Sequence, residues 1–128
     1  MITDPKNELT FTSVVSAQSK NANFTVTGID LSQYLGQVAL IINVGTTSGT
    51  NPTLDVALSS GDANDGSNAV AFSPAVAAVQ FTAAGQQILT FDKRSAGRYL
   101  KIAGTIGGTN TPTATVSMTL VAGKRVQP

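Results

Sequence analysis

The acidic side chains are the groups in this sequence best placed to do chemistry, because the chain contains no histidine and no cysteine. It therefore lacks the usual general base near neutral pH, the commonest metal ligand and the thiolate nucleophile. No two carboxylates have a spacing that forces both onto one side of a cleft, as paired acid and base catalysis requires. We expect a protein that is not an enzyme and uses no cofactor. The seven carboxylates are Asp4, Glu8, Asp30, Asp55, Asp62, Asp65 and Asp92.

Asp62, Asn64 and Asp65 form a cluster of oxygen ligands of the kind that calcium binds. Their spacing, D-x-N-D-G, differs from the alternating ligands of a calcium-binding loop, and no glutamate follows at the position that completes one. Residues 60–68, SGDANDGSN, are therefore interpreted as a hairpin loop, with a metal site as the weaker alternative.

Aromatic residues offer little for sugar binding, since such sites stack saccharides on aromatic rings. The chain has no tryptophan, and its only polar aromatics are Tyr34 and Tyr99. Tyr34 is expected to close one end of the fold, with its hydroxyl reaching water or backbone. The five phenylalanines are assigned to the core.

The basic residues form short clusters without interleaved aromatics, which does not favour nucleic acid as a partner. Arg94 or Arg98 is instead expected to pair with Asp92 or with a neighbouring subunit. The clusters are Lys93, Arg94, Arg98 and Lys101 around one turn and Lys124 and Arg125 near the end.

Charged residues make up 12% of the chain, about half of the roughly 25% usual for soluble domains. So little charge favours contact with other proteins, although a small β protein with Thr-, Ser- and Asn-covered strands would have a similar composition. The N-terminus lacks the pattern of a signal peptide, and the longest apolar run, residues 38–42, is far short of the ~20 residues of a membrane span. We expect a soluble protein made in the cytoplasm, with no membrane contact.

Residues 98–123 organise the predicted fold, because they contain two arms with apolar residues at every second position. Leu100 and Ile102 share one face of the first arm, and Met118 and Leu120 share one face of the second. The Gly-, Asn-, Thr- and Pro-rich segment between the arms predicts a hairpin turn. Two such strands require a second sheet to cover their apolar faces.

The rest of the chain repeats this pattern in shorter strands, and no stretch shows helical periodicity. Eight strands predict an all-β jelly-roll sandwich, with a seven-stranded immunoglobulin-like sandwich as the alternative. We expect a single domain over residues 9–125, a flexible arm at 1–8 and a tail at 126–128. Besides the two arms, strands are predicted at 9–17, 22–29, 37–44, 53–59, 70–81 (interrupted by Pro74, as on a sheet edge) and 86–92.

Residues 37–44, QVALIINV, are apolar on both faces, with Val38 and Leu40 on one face and Ala39 and Ile41 on the other. Such a strand is either central and covered twice, or covered on its second face by another subunit.

The order of several segments resembles small structural proteins of tailed bacteriophage virions, in particular jelly-roll head decoration (cement) proteins. The likeness extends over most of the chain from about residue 9 and is clearest at 92–108 and 120–125. The segments are DLSQYLGQ, VGTTSGTNPTLDVAL, LTFDKRSAGRYLKIAGTIGGT and SMTLVAGKR.

This resemblance implies a homotrimer on the exterior of a capsid, seated at local three-fold points, with the phage major capsid protein as its partner. The polar arm is then expected to contact the capsid, and outer strand faces to contact neighbouring subunits. The alternatives are a glycan-binding module on a virion or tail, and a minor tail or connector component. The capsid-contact candidates are Ile2, Asp4, Pro5 and Lys6. The subunit-interface candidates are Ala39, Ile41, Arg94, Arg98 and Tyr99.

Overall fold

The computed structural model describes residues 9–72 and 76–124, except for the side chains of Leu35 and Lys124. The predicted N-terminal arm with Ile2, Asp4, Pro5 and Lys6, the C-terminal tail and Pro74 lie outside the described residues. Within the described residues, seven strands and one short 3-10 turn (Lys93–Ser95) follow one another. None of the helical structure in the described ranges is long and apolar enough to span a membrane. The strands are β1 (Leu9–Lys20), β2 (Phe24–Asp30), β3 (Tyr34–Gly61), β4 (Val70–Ala71), β5 (Val79–Phe81), β6 (Gly85–Asp92) and β7 (Tyr99–Lys124).

Two long strands, β3 and β7, pair with each other along almost their whole length, and each contributes one half to each layer of the sandwich. The first sheet has the order β1, C-terminal half of β7, N-terminal half of β3, β6. The second has the order β2, N-terminal half of β7, C-terminal half of β3, then β4 and β5. All pairings are antiparallel. This is the strand order of a jelly roll, so the predicted fold class is confirmed and the immunoglobulin-like alternative is wrong.

Both long strands bend where they pass from one sheet to the other. Asn51 on β3 and Asn110 and Thr111 on β7 have positive φ angles, and the pairing register shifts on either side of Thr50. These residues supply backbone conformations that a flat strand cannot adopt. The predicted hairpin between the arms of 98–123 is therefore wrong, and the predicted strands 37–44 and 53–59 are parts of one continuous strand, β3. The turn-forming residues bend two continuous strands, and each arm pairs with β3.

The core lies between the two sheets and is built from the residues that alternate along β3 and β7. Val38, Leu40 and Ile42 face it from the first half of β3, and Ile102 and Met118 face it from the two halves of β7. Each is completely buried. Fully burying one such side chain contributes about 1.5–3 kcal/mol, so the residues that alternate into the core together stabilise the sandwich strongly.

Tyr34 closes one end of the sandwich as predicted, with only 7% of its surface exposed. Its hydroxyl lies 3.2 Å from the Thr12 hydroxyl on β1, so its partner is a side chain and not the backbone. Phe72 and Phe91 pack with ring centroids 4.8 Å apart.

A bulge in β1 changes which residues face the core. The register of β1 against β7 shifts between Ser13 and Val15. Val15 is buried, whereas Phe11 is 57% exposed, although residues four apart on a regular strand share a face. The assignment of all five phenylalanines to the core is therefore wrong for Phe11.

Candidate interaction surface

The outer surface of the first sheet carries a contiguous group of apolar side chains. We call Phe11, Ala39, Ile41, Ile88 and Val121 the outer apolar face. Directly opposed residues on neighbouring strands have Cβ atoms about 4.5–5.5 Å apart, so these side chains adjoin one another. The pairing registers place them in two adjacent rows across four strands. The first row is Phe11, Val121, Ala39 and Thr90, and the second is Ser13, Thr119, Ile41 and Ile88.

The outer apolar face is partly open to solvent at both edges of the sheet. Phe11 on β1 is 57% exposed and Ile88 on β6 is 53% exposed, while the three residues between them are half-buried by their neighbours. No charged residue occurs in either row. Contiguous exposed apolar patches with few charges mark interaction sites on soluble proteins.

The outer surface of the second sheet carries polar and charged side chains around a pair of alanines, Ala57 and Ala103, so the fold itself does not require large apolar side chains on an outer face. Asp55, Lys101 and Thr105 occupy its outward positions on β3 and β7. Asp55 accepts a hydrogen bond of 2.8 Å from the Gln80 side chain on the neighbouring strand. The two sheets therefore differ in what they present, and the first is the better candidate for a protein contact.

An open cavity of about 500 Å³ lies at the end of the first sheet where β3 pairs with the start of β6. The Asn43 side chain accepts a 3.0 Å hydrogen bond from Gln86 at its rim. The lining residues include no aromatic ring on which a sugar could stack. They are Ala17, Asn43, Val44, Gly45, Gly85, Gln86, Thr115, Val116 and Ser117.

The structure separates the five predicted interface residues into two groups. Ala39 and Ile41 lie on the outer apolar face, as their positions in the sequence indicated. Arg94 lies in the 3-10 turn that follows β6, at the end of the same sheet. Arg98 immediately precedes β7 and Tyr99 is its first residue, and the first half of β7 belongs to the second sheet. Their participation in a subunit interface stays a prediction.

Arg94 pairs with Asp92, as predicted, with 2.9 Å between Arg94 Nη2 and Asp92 Oδ2. The carboxylate also accepts a hydrogen bond from the Arg94 backbone N–H at 2.9 Å. The Arg94 side chain, and secondarily its backbone N–H, lowers the pKa of Asp92. The pair lies at the surface and fixes the turn that leaves β6.

Arg98 pairs with Asp30 and not with Asp92, at 3.2 Å between Arg98 Nη2 and Asp30 Oδ2. The Ser32 backbone N–H donates to Asp30 Oδ1 at 2.9 Å. This backbone bond, followed by the bond from Arg98, lowers the pKa of Asp30 to about 2. The Arg98 guanidinium also lies 5.1 Å from the centre of the Tyr99 ring, within cation–π range. Arg98 therefore joins the end of β2 to the start of β7.

The acidic segment at 60–68 lies in a hairpin loop, closed by the pairing of Ser60 with Val70. Asp65 Oδ1 accepts a 2.9 Å hydrogen bond from the Ser67 backbone N–H, which lowers the pKa of Asp65. Within residues 9–72 and 76–124, no group of three or more Asp, Glu, His or Cys side chains could hold a metal ion. The loop interpretation is confirmed, and the metal candidates Asp62, Asn64 and Asp65 stay untested.

Sequence reasoning missed Phe11, Val121 and Ile88 as members of the outer apolar face. The signal for Ile88 was present, because residues 86–92 are apolar on both sides, as residues 37–44 are. Phe11 gave no such signal, since its outward position depends on the bulge in β1.

No protein-family model matches this chain, and no curated protein matches it. Among solved structures, it resembles a subunit of Bacillus endospore appendages, a family of disulfide-linked pili, with a TM-score of 0.54 and 14% identity over 92% of this chain and 90% of that one. This match supports the fold and, at that identity, nothing about function.

Two other solved structures cover the chain with lower scores. The SPBc2 prophage-derived protein YomS has a TM-score of 0.48 and 12% identity over 95% of this chain and 98% of its own. The coat protein of Tobacco streak virus has a TM-score of 0.42 and 9% identity over 99% of this chain and 95% of its own. Likeness at this level establishes neither relationship nor function.

Proposed function

We propose that this protein is a non-enzymatic structural component of a phage virion, which forms a homotrimer and binds the assembled capsid from outside as a decoration protein. The outer apolar face carries the proposal, because it gives a jelly roll of low charge one surface suited to contact with protein. The segments that resemble head decoration proteins, from DLSQYLGQ to SMTLVAGKR, indicate the capsid as the setting.

Subunit packing is assigned to the outer apolar face. Burying one exposed Phe or Ile side chain contributes about 1.5–3 kcal/mol, whereas association costs an estimated 4–15 kcal/mol in lost freedom of motion. One such contact is therefore marginal. A dimer forms one contact and immobilises one further subunit, whereas a closed trimer forms three contacts and immobilises two further subunits. Ring closure therefore favours the trimer over an open dimer.

Stabilisation of the capsid follows from mass action. A subunit that binds the assembled shell and not its separated parts stabilises the shell by RT ln(1 + [L]/Kd) at each site. At a free concentration of 100 times Kd this is about 2.7 kcal/mol per site, and the sites of a shell add. No reactive side chain is needed for such a role, in keeping with a chain that has neither histidine nor cysteine.

The test is co-sedimentation of the purified protein with expanded capsids that lack it. We expect saturable binding and shells that withstand more heat or chelator than undecorated ones. Failure to bind expanded shells, with unchanged shell stability, would overturn the decoration role. Native mass should be a multiple of three times the 13.1 kDa of the chain.

The same assay locates the capsid contact. A variant without residues 1–8 removes Ile2, Asp4, Pro5 and Lys6, and a variant without residues 126–128 is its matched control. We expect the first to lose capsid binding while it keeps its oligomeric mass, and the second to bind normally. Equal binding by both variants would remove the N-terminal arm from the contact.

A further inference from the structure

A jelly roll has four edge strands, and three of them carry features that prevent pairing with another chain. The pairing of β1 with β7 has two register shifts, and that of β2 with β7 has one. The third edge position is shared by β4 and β5, which are only two and three residues long. Bulges, proline and short length are the devices by which natural sheets protect their edges.

The remaining edge, β6, has none of these features. Its eight residues pair with β3 without interruption, from Gly85 opposite Val44 to Asp92 opposite Gln37. It contains no proline and no lysine or arginine, and its single charge is Asp92 at the very end. Among the described residues β6 pairs with β3 alone, so every second backbone N–H and C=O of β6 is directed away from the sheet.

The sequence of β6 is suited to pairing with itself. In an antiparallel pair related by a two-fold axis through Ile88, the two Ile88 side chains lie opposite each other, and Gln86 lies opposite Thr90 of the second copy. Asp92 then falls opposite a residue before the strand, so no two charges are opposed. This register joins the exposed Ile88 of both copies and makes their outer apolar faces continuous.

We propose that β6 is a self-pairing edge, at which the first sheets of two copies join antiparallel about Ile88 into one eight-stranded sheet. A second copy fits this edge because, in the register about Ile88, the single charge of β6 at Asp92 has no like charge opposite it across the two-fold axis. The pairing uses the backbone of β6 and leaves its outward side chains on the outer apolar face. It therefore does not depend on the capsid role, and in a trimer it connects one trimer to the next.

Disulfide trapping tests the pair directly, because the chain has no cysteine of its own. Opposed residues in an antiparallel pair have Cα atoms about 4.5–5.5 Å apart, within reach of a disulfide. We expect the Ile88→Cys variant to shift to twice the chain mass on non-reducing gels after mild oxidation. The matched control is Thr25→Cys, an exposed residue on the bulged edge strand β2, which should stay at the mass of one chain.

The register of the proposed β6–β6 pair is tested by mixing two different cysteine variants. Gln86 of one copy lies opposite Thr90 of the other, whereas the two Gln86 residues lie about 13 Å apart along the strands, beyond disulfide reach. Oxidising Gln86→Cys with isotope-labelled Thr90→Cys should give the mixed dimer, and neither variant should dimerise alone. Homodimers of either variant, or equal trapping of Thr25→Cys, would overturn the proposed register and edge.

Amide hydrogen exchange of the unmodified protein gives an independent measurement. Alternate amides of β6 should exchange more slowly as protein concentration rises, while those of β2 should not change. Slow exchange of the β6 amides at every protein concentration would mean that β6 is covered within its own chain. Fast exchange of these amides in a sample that native mass spectrometry shows to be associated would mean that the subunits contact each other elsewhere. Either result would refute self-pairing without affecting the capsid-binding test.

Discussion

Ile41 and Ile88 lie directly opposite each other on β3 and β6, with both side chains on the outer surface of the first sheet. The next residue on β3, Ile42, is completely buried. Ile41 and Ile42 are consecutive on β3 but have different roles. Ile42 fills the core, whereas Ile41 faces outward beside the exposed Ile88.

Replacing these neighbours separates core packing from surface packing. Ile42→Ala should lower the free energy of unfolding by about 2–5 kcal/mol, because it leaves a cavity between the sheets. Ile41→Ala should lower it by about 1 kcal/mol or less, the scale of a cross-strand pair. Urea denaturation of both variants measures the difference, and equal losses would mean that Ile41 is as tightly packed as Ile42.

Removing Phe11 should weaken association without unfolding the protein. We expect Phe11→Ser to shift the equilibrium between monomer and oligomer toward monomer in sedimentation velocity runs, while its melting temperature at low concentration changes little. Val70→Ser is the matched control, because Val70 is 68% exposed but lies on β4 in the second sheet. Similar effects of the two substitutions would show that exposure alone, and not the outer apolar face, governs association.

The jelly roll could be predicted from the sequence because core residues recur at every second position within the separate arms of β3 and β7. Period-two patterns report which residues face the core, and they placed Leu40, Ile102 and Met118 correctly. They do not report where a strand bulges. The pattern therefore predicts an inward Phe11, whereas a single extra residue near Ser13 reverses the faces of the residues that precede it.

The bends in β3 and β7 could not be distinguished from turns by residue type. Gly, Asn and Pro supply the same backbone conformations to a hairpin turn and to a bent strand. The choice depends on which partner the flanking arms find, and here both arms of β7 pair with β3 over a long ladder. Such a partner is distant in sequence, so local composition at 45–52 and 107–112 carries no information about it.

Gly49 allows the two bent strands to approach closely, and Gly49→Ala should be strongly destabilising. Its φ is +99°, and an added Cβ would lie 2.8 Å from Pro112 Cα and 2.9 Å from the Thr109 carbonyl oxygen. Gly36→Ala is the control, because Gly36 has φ +72° but open space around it. We expect Gly36→Ala to cost about 1–2 kcal/mol from its left-handed backbone and Gly49→Ala to cost clearly more, measured by thermal or urea unfolding. Equal costs would mean that the bend is not tightly packed.

The Asp30 carboxylate should stabilise the fold at neutral pH and lose that effect in acid. Its pKa is lowered from 3.8 to about 2 in the folded protein, by the Ser32 backbone N–H and then by Arg98. Between these values the unfolded chain takes up a proton that the folded protein does not, so stability falls as pH falls. Below about pH 2 both states are protonated and the contribution is lost.

Asp30→Asn measures this contribution, because asparagine cannot ionise. The Asp30 side chain is 39% exposed, so solvent screening limits the difference at pH 7 to about 1 kcal/mol or less in favour of the unsubstituted protein. The difference should shrink from pH 3.8 to about 2, as followed by urea unfolding at a series of pH values. Repeating the series in 1 M salt should weaken the part due to Arg98 and spare the part due to Ser32, since a Debye length of about 3 Å screens the ion pair at the surface. A difference that stays constant from pH 7 to pH 2 would show that Asp30 acts through its shape and hydrogen bonds and not through its charge.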